Sequence, residues 1–427
     1  MTKFRTIPII IVLFIMAFWQ PVYGGEPDGY YVKIGLAVDQ NQLILNLTGD
    51  ECLLDLSPKE PTVIPIPGDQ VLITAFENNI AVNFWPVGAG PLVVLPGAQL
   101  LSWDSREYRG EFLIVAKNNR LNLINRLPLE DYLRGVVPRE VPAGWPMAAL
   151  KAQAIAARTY TIASLGRHSA DAFDLCPTEH CQVYGGAAAE TEATDRAVAD
   201  TVGEVIKYRG KIISALYHSS SGGMTADAVD LWNSNVPYLK PVLDWDQNSP
   251  YTQWSKYFNW DVLQGLSSRA YPQIGRVKRI QGVTFSQDGK LRKITLVGDL
   301  GQSTISGEQF RFLLGLPSSR VQIGVIYGPE PLLTLWWVRN EPYPQALMAN
   351  QEIPGLTADL LNPPWDLADP FWWLQDKEPL RIVCKGSGWG HGVGLSQWGA
   401  KGMADNGFNE RQILEHFYPG VTISGLK

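Results

Sequence analysis

The chain has 427 residues, 45% hydrophobic and 18% charged, the balance of a globular protein long enough for two or three domains. Its formal net charge of −6 does not suggest a nucleic-acid partner. Fifteen tryptophans are many for this length, and such rings either fill cores or stack on sugar faces.

At the N-terminus, Lys3 and Arg5 precede an apolar run from Ile7 to Trp19, with VYGG after it. A basic start, an apolar run too short for a comfortable span and a small-residue zone predict a signal peptide over 1–25. An uncleaved anchor is the alternative. Either reading exports the protein to the periplasm or cell wall, where disulfides are permitted. Residues 26–120 read as β-rich: YYVKIGLAV, QLILNLTG, QVLITAF, NNIAVNFWP and EFLIVAK alternate between Gly, Asn and Pro breaks. RLNLINRL continues the pattern and opens a core region over 121–327. Helical signals begin at LPLEDYLRGVV and strengthen at Pro146, a residue suited to a first helical position. A further helix covers about Thr191–Thr201, and EVIKYRGKIISALYH predicts a hairpin around Arg209-Gly210. More strands fall between Val277 and Leu296, and GEQFRFLLGL predicts a short helix. Residues 328–378 are rich in Pro, Trp and Leu without a clean period, which reads as an insertion. The segment 379–427 completes the core with a glycine-rich run and a helix N-capped by Asn409. Strands and helices mix without regular βαβ alternation. The expected fold is therefore α+β, mostly antiparallel strands with a central buried Ala-rich helix and a few short helices.

Several stretches carry side chains suited to chemistry. On a helical wheel Met147, Leu150, Ala154, Ile155, Ile162 and Leu165 share a stripe, and Lys151 and Arg158 fall inside it. Alanines occupy the opposite side, so the helix is expected to be buried on most sides. A buried arginine needs a carboxylate, carbonyls or a ligand. Glu140 sits in VVPREVPAGW, among apolar and rigid neighbours that penalise its charge and suit a general acid; a surface glutamate in a turn is the plainer reading. YHSSSGGMT (217–225) offers His218, Ser219, Ser220 and Ser221 to a polar ligand, or is an ordinary polar turn. It has no G-x-S-x-G elbow, so a serine nucleophile is unsupported. GSGWGHGVGLSQWGAKG (386–402) holds seven glycines. They permit close approach to a ligand or to another strand, and His391 and Gln397 are its candidate contacts. CPTEHC (176–181) brings together Cys176, His180 and Cys181, with His168 upstream. Thiolates and imidazole could fill three positions of a tetrahedral zinc, or the cysteines could pair as a disulfide. Cys52 and Cys384 remain, to pair or stay buried.

RLPLEDYLRGVVPREVPAGWPMAALKAQAIAARTY, CPTEHCQVYGG, YHSSSGGMT and GSGWGHGVGLSQWGAKGMA, in this order, resemble the stage II sporulation protein D family, whose relatives include amidase-enhancer proteins. The resemblance covers about 120–327 and 380–425; the insertion at 328–378 departs from it. It implies a periplasmic or cell-wall protein acting on peptidoglycan. Enzymatic members are lytic transglycosylases that cut MurNAc–GlcNAc bonds in peptide-free strands and leave 1,6-anhydro ends. Carried onto this sequence, the catalytic acid is Glu140 and the bound zinc falls on Cys176, His180 and Cys181, with the fourth ligand open. Lys151, Arg158 and Tyr160 on the helix, with His218, Ser219, Ser220, Ser221, His391 and Gln397, are the expected substrate contacts. Arg158 is the residue expected to hold the free lactyl carboxylate. The alternative function is a non-catalytic glycan-binding protein that assists a cell-wall amidase. The tryptophans of the insertion, among them Trp336, Trp337, Trp365, Trp372 and Trp373, would then shape the glycan groove or pack on the core.

Overall fold

The structure, a computed structural model, describes residues 30–47, 50–58, 61–65, 69–327 and 379–426, and the backbone of 334–337. It is an α+β fold of several antiparallel sheets with short helices. The residues form two compact units. One combines the chain up to Pro142 with Ser164–Val202; the other combines Ala143–Ala163 with the chain from Gly203 onward. The expected core range 121–327 is shared between them. The expected signal peptide lies outside the described residues, as does the insertion apart from the strand Thr334–Trp337. No helix among the described residues is long and apolar enough to cross a membrane.

In the first unit, strand Arg120–Pro128 runs antiparallel to Tyr31–Gln40 on one side and Glu111–Lys117 on the other. Leu92–Leu95, Cys52–Asp55 and Thr62–Ile64 extend this sheet. The hairpin between Glu111–Lys117 and Arg120–Pro128 turns at Asn118-Asn119, both at positive φ, the conformation a two-residue turn needs and asparagine tolerates. The strands at 52–55 and 92–95 escape a search for alternation. CLLD and LVVL are short, and nearly every residue is buried, Asp55 included, so they carry no period of two. A second sheet orders Gln42–Asn46, Gln70–Phe76, Asn79–Val82 and Trp85–Gly88.

Strand Arg120–Pro128 leads directly into helix Leu129–Glu140. Leu129, Tyr132, Leu133, Val136 and Val137 are its buried face, the spacing of one helical stripe. Glu130 and Asp131 occupy its first turn, where negative charge meets the positive end of the dipole. Pro138 lies inside the last turn, and the helix stops at Glu140 where Val141, the residue before Pro142, turns extended. Glu140 is thus a helix-terminal residue rather than part of a turn.

In the second unit, helix Met147–Ala163 follows Pro146 and buries residues on almost every side, among them Ala149, Ala152, Ile155, Ala156 and Thr159. Its alanines give close access to a core of Ile206, Ile213, Val393, Leu395, Met403, Ile413, Leu414 and Phe417. Thr159 Oγ1 donates to the Ile155 carbonyl at 2.6 Å and accepts the Ile206 N–H at 3.0 Å, tying helix to strand. The predicted hairpin forms from Glu204–Tyr208 and Lys211–Ile212, with Arg209 and Gly210 both at positive φ. Thr191 caps Glu192–Asp200 in the first unit, and Asn409 caps Glu410–Phe417 in the second through a reciprocal capping box. A second core gathers on the sheets of 254–327 and 379–386, including Phe310, Ile323 and Ile382. Cys52 and Cys384 are both free thiols; Cys384 is buried and Cys52 half-buried.

Candidate metal centre and the adjoining cleft

The strongest constellation lies in the first unit. His168, Cys176, His180 and Cys181 bring one ligand atom each to within 4.8 Å of one another. His168 Nε2 lies 3.3 Å from Cys181 Sγ, and His180 Nδ1 lies 3.5 Å from each of the two sulfurs. A tetrahedral zinc with its usual bond lengths sets ligand atoms about 3.3–3.8 Å apart, the range of these three separations, so the cluster is of a kind that could hold zinc. Both cysteines are free thiols here. His168 supplies the fourth ligand that the sequence left open.

Local structure explains the convergence. The Gly35 N–H donates to Leu175 O at 3.0 Å, and Ile34 bridges Leu175, fixing the segment to a sheet strand just before Cys176. Gly35 has no side chain because the Phe173 ring occupies that space. Phe173 in turn stacks on His168 at 4.9 Å and orients its ring. Burial, helped by the neighbouring His180, lowers the His168 pKa, favouring the neutral form a metal ligand needs. Burial opposes ionisation of Cys176, but hydrogen bonds from Thr178, Cys181 and His180 bring it down to about 7. Burial and the adjacent Cys176 push Cys181 up to about 11. One thiol is therefore ready to ionise, and a dication would supply what the second needs.

Beside this centre runs a cleft of about 640 Å³ lined by Arg106, Arg139, Pro177–His180, Val183–Gly185 and Ala188-Ala189. The segment carrying Cys176, His180 and Cys181 forms one wall. Gly185 N–H donates to Gly135 O at 3.0 Å, and a Cβ on Gly135 would lie 2.5 Å from the Tyr184 ring. That close approach seats the segment on helix Leu129–Glu140. Glu140 Oε1 accepts the Val183 N–H at 3.0 Å. The carboxyl is half-buried and held by a backbone group of the cleft wall. Tyr184 Oη donates to Asn125 Oδ1 at 2.9 Å, and Asn125 spends its amide on the Arg109 and Glu111 carbonyls. This buried network locks the wall to strand Arg120–Pro128.

The other expected contacts lie in the second unit, and several are deeply enclosed. Arg158 has no accessible surface, and its guanidinium reaches the Glu204 carbonyl at 3.3 Å. A side chain sealed in this way is a core residue here, which does not fit the expected direct grip on a lactyl carboxylate. Lys151 is half-buried, whereas Tyr160 is buried with its ring edge-on to Tyr217 at 6.2 Å. His218, Ser220 and Ser221 are each at most 5% exposed. Ser220 Oγ donates to Asp246 at 2.6 Å, and Ser221 Oγ donates to Asp244. Ser219 is half-exposed, and its carbonyl accepts the Trp398 N–H. Gln397 is buried at the start of helix Gln397–Asp405. His218 Nδ1 pairs with the Val393 carbonyl, and half-buried His391 takes the Val393 N–H on Nδ1. Burial holds both imidazoles well below the usual histidine range, with nearby charge on Lys290 adding to the effect.

The glycines of this region serve chain packing. Gly388, Gly390, Gly392 and Gly394 all have positive φ. A Cβ on Gly388 would meet the Ser220 carbonyl at 2.7 Å, and one on Gly394 would meet the Leu216 carbonyl at 2.2 Å. The segment therefore lies directly against residues 216–221, with Tyr217–His218 pairing in parallel with Leu395–Ser396. Sequence reasoning missed the Asp244 and Asp246 anchors of this loop, because acids in VLDWDQNSP resemble a solvated turn.

Comparison with known proteins follows the same segments. The family described as Stage II sporulation protein matches residues 117–208. Stage II sporulation protein D of Bacillus amyloliquefaciens is 30% identical over 317 residues, covering 70% of this chain and 75% of that protein. The Amidase enhancer of Bacillus subtilis (strain 168) is 29% identical over 363 residues, covering 76% of this chain and 45% of that protein. An uncharacterised protein of Brachyspira hyodysenteriae is 28% identical over 318 residues, covering 74% of this chain and 72% of its own length.

Proposed function

Because the chain belongs to the stage II sporulation protein D family, we propose that it works outside the cytoplasm on cell-wall peptidoglycan, binding glycan strands in the cleft beside Glu140 and assisting a cell-wall amidase. The likeness to a relative named for amidase enhancement carries this reading. The cleft supports it with a concave wall that carries Arg106, Arg139 and Glu179 and is pinned to a helix and a sheet strand. Zinc on His168, Cys176, His180 and Cys181 would act as a structural cross-link that keeps the 168–181 loop in shape. With zinc bound, these four side chains would brace the cleft wall, and Val183 on that wall holds Glu140.

The fixed carboxyl of Glu140 favours a second reading, in which the chain itself cuts the strand as a lytic transglycosylase. Glu140 would give its proton to the glycosidic oxygen as the bond to the muramyl C1 breaks. The muramyl C6 hydroxyl would attack C1, close the 1,6-anhydro ring and return its proton to Glu140. No water is consumed and no protein nucleophile is needed, so a single carboxyl suffices where a hydrolase positions two. Mass spectrometry of peptide-free strands after incubation with the purified chain separates the readings. Anhydro ends that fall by about 10²- to 10⁴-fold with Glu140→Gln support catalysis. Intact strands leave the binding role and remove the catalytic one, and equal turnover in the variant removes Glu140 as the acid.

A further inference from the structure

We infer that Arg139 and Arg106 form the carboxylate-binding side of the cleft and take the free lactyl carboxylate of a peptide-free muramyl residue, an assignment that rests on the peptidoglycan reading above. The sequence points to Arg158 for this task, but Arg158 is sealed in the interior. Arg139 and Arg106 are exposed, and both line the cleft. Val183 lines the same cleft as Arg139, and its N–H holds the Glu140 carboxyl.

Neighbouring arginines behave differently. Arg109 grips Glu190 in a two-pronged pair, and Arg134 reaches Glu190, Asp195 and Asp131. These guanidiniums are committed to the fold. Among the described residues, neither Arg139 nor Arg106 makes an ion pair; Arg106 lies near the Tyr108 hydroxyl. Glu179 is a third charged group lining the cleft and is unpaired with either arginine, leaving two guanidiniums against one carboxylate.

The Arg139 stem is also held in place. A Cβ on Gly185 would lie 3.0 Å from both Cγ and Cδ of Arg139. The missing side chain therefore lets the stem pack on the backbone of the cleft wall. A stem so confined loses less freedom when its planar fork meets a carboxylate. Peptidoglycan offers two carboxylate sources: the lactyl group of stripped strands and the acidic groups of stem peptides. Arg139 shares the cleft with Val183, which holds the carboxyl that would face the sugar backbone, and this favours the lactyl group.

Calorimetric titration of the full chain tests this with three probes: peptide-free strands, the same strands with their lactyl carboxylates converted to methylamides, and free stem peptide. The wild type is expected to bind bare strands at least about tenfold more tightly than amidated ones, the size of a modest charge-assisted pair. Arg139→Gln and Arg106→Gln should lose most of that difference, and Arg139→Lys should recover only part of it. Equal binding of bare and amidated strands by the wild type overturns this assignment alone. So does an Arg139→Gln variant that keeps its metal and circular dichroism yet binds bare strands like the wild type. A preference for stem peptide over either strand also overturns it. Absence of binding to any strand overturns the peptidoglycan reading as well.

Discussion

Asp244 and Asp246 illustrate how single residues hold the second unit together. Both are buried, at 4% and 2% exposed, and both accept hydrogen bonds from the 220–222 loop. Burial, with the neighbouring charge of Asp246, pushes Asp244 up to about 7, whereas an unfolded aspartate titrates near ~3.9. The folded pKa lies above the unfolded one, so the folded state binds the extra proton between those values. The contribution is fully present below about pH 4 and is lost as pH rises towards 7. Denaturant midpoints between pH 4 and 7 should therefore fall with rising pH, and Asp244→Asn should flatten the trend. An unchanged slope in that variant would remove Asp244 as its source. Glu140 is a half-buried acid at a cleft margin, with one oxygen on the Val183 N–H. Arg158 was legible as a buried cation from its place in an apolar stripe. What it touches was not legible, because the Glu204 carbonyl lies 46 residues away in the chain.

At the scale of elements, the clearest sequence signals were those written locally. Thr191 and Asn409 as caps, the Arg209-Gly210 hairpin and the alanine-rich helix all depend on neighbours within a turn or two, and all are present. The strands CLLD and LVVL were hidden because burial on both faces erases alternation. The metal segment fell between these cases. Its three clustered ligands were readable from CPTEHC, but His168 joins them because Phe173 and Gly35 fold the intervening residues back. The chain purified without added metal is expected to hold about one equivalent of zinc. Chelation should lower its melting temperature, and Cys176→Ser or Cys181→Ser should abolish stoichiometric metal. Metal-free protein with Cys176 and Cys181 joined in a disulfide would contradict the centre.

For the whole molecule, the chain order matters. Helix Met147–Ala163 belongs to the second unit, yet its flanking segments up to Pro142 and from Ser164 to Val202 build the first. The two motifs that begin the family resemblance, around Glu140 and around Cys176, therefore meet in one unit across an intervening helix. Sequence order alone presented them as successive parts of a single core. The strongly glycine-rich motif near the C-terminus serves a separate packing task beside residues 216–221. Under the proposed function glycan binds in the cleft of the first unit, and that reading has a direct test. That test is the initial rate at which a cell-wall amidase releases peptides from purified peptidoglycan, measured with and without the full chain. The account predicts a rate that rises with added chain and saturates as the glycan sites fill. A rate unchanged at every concentration of folded, metal-loaded chain would contradict it.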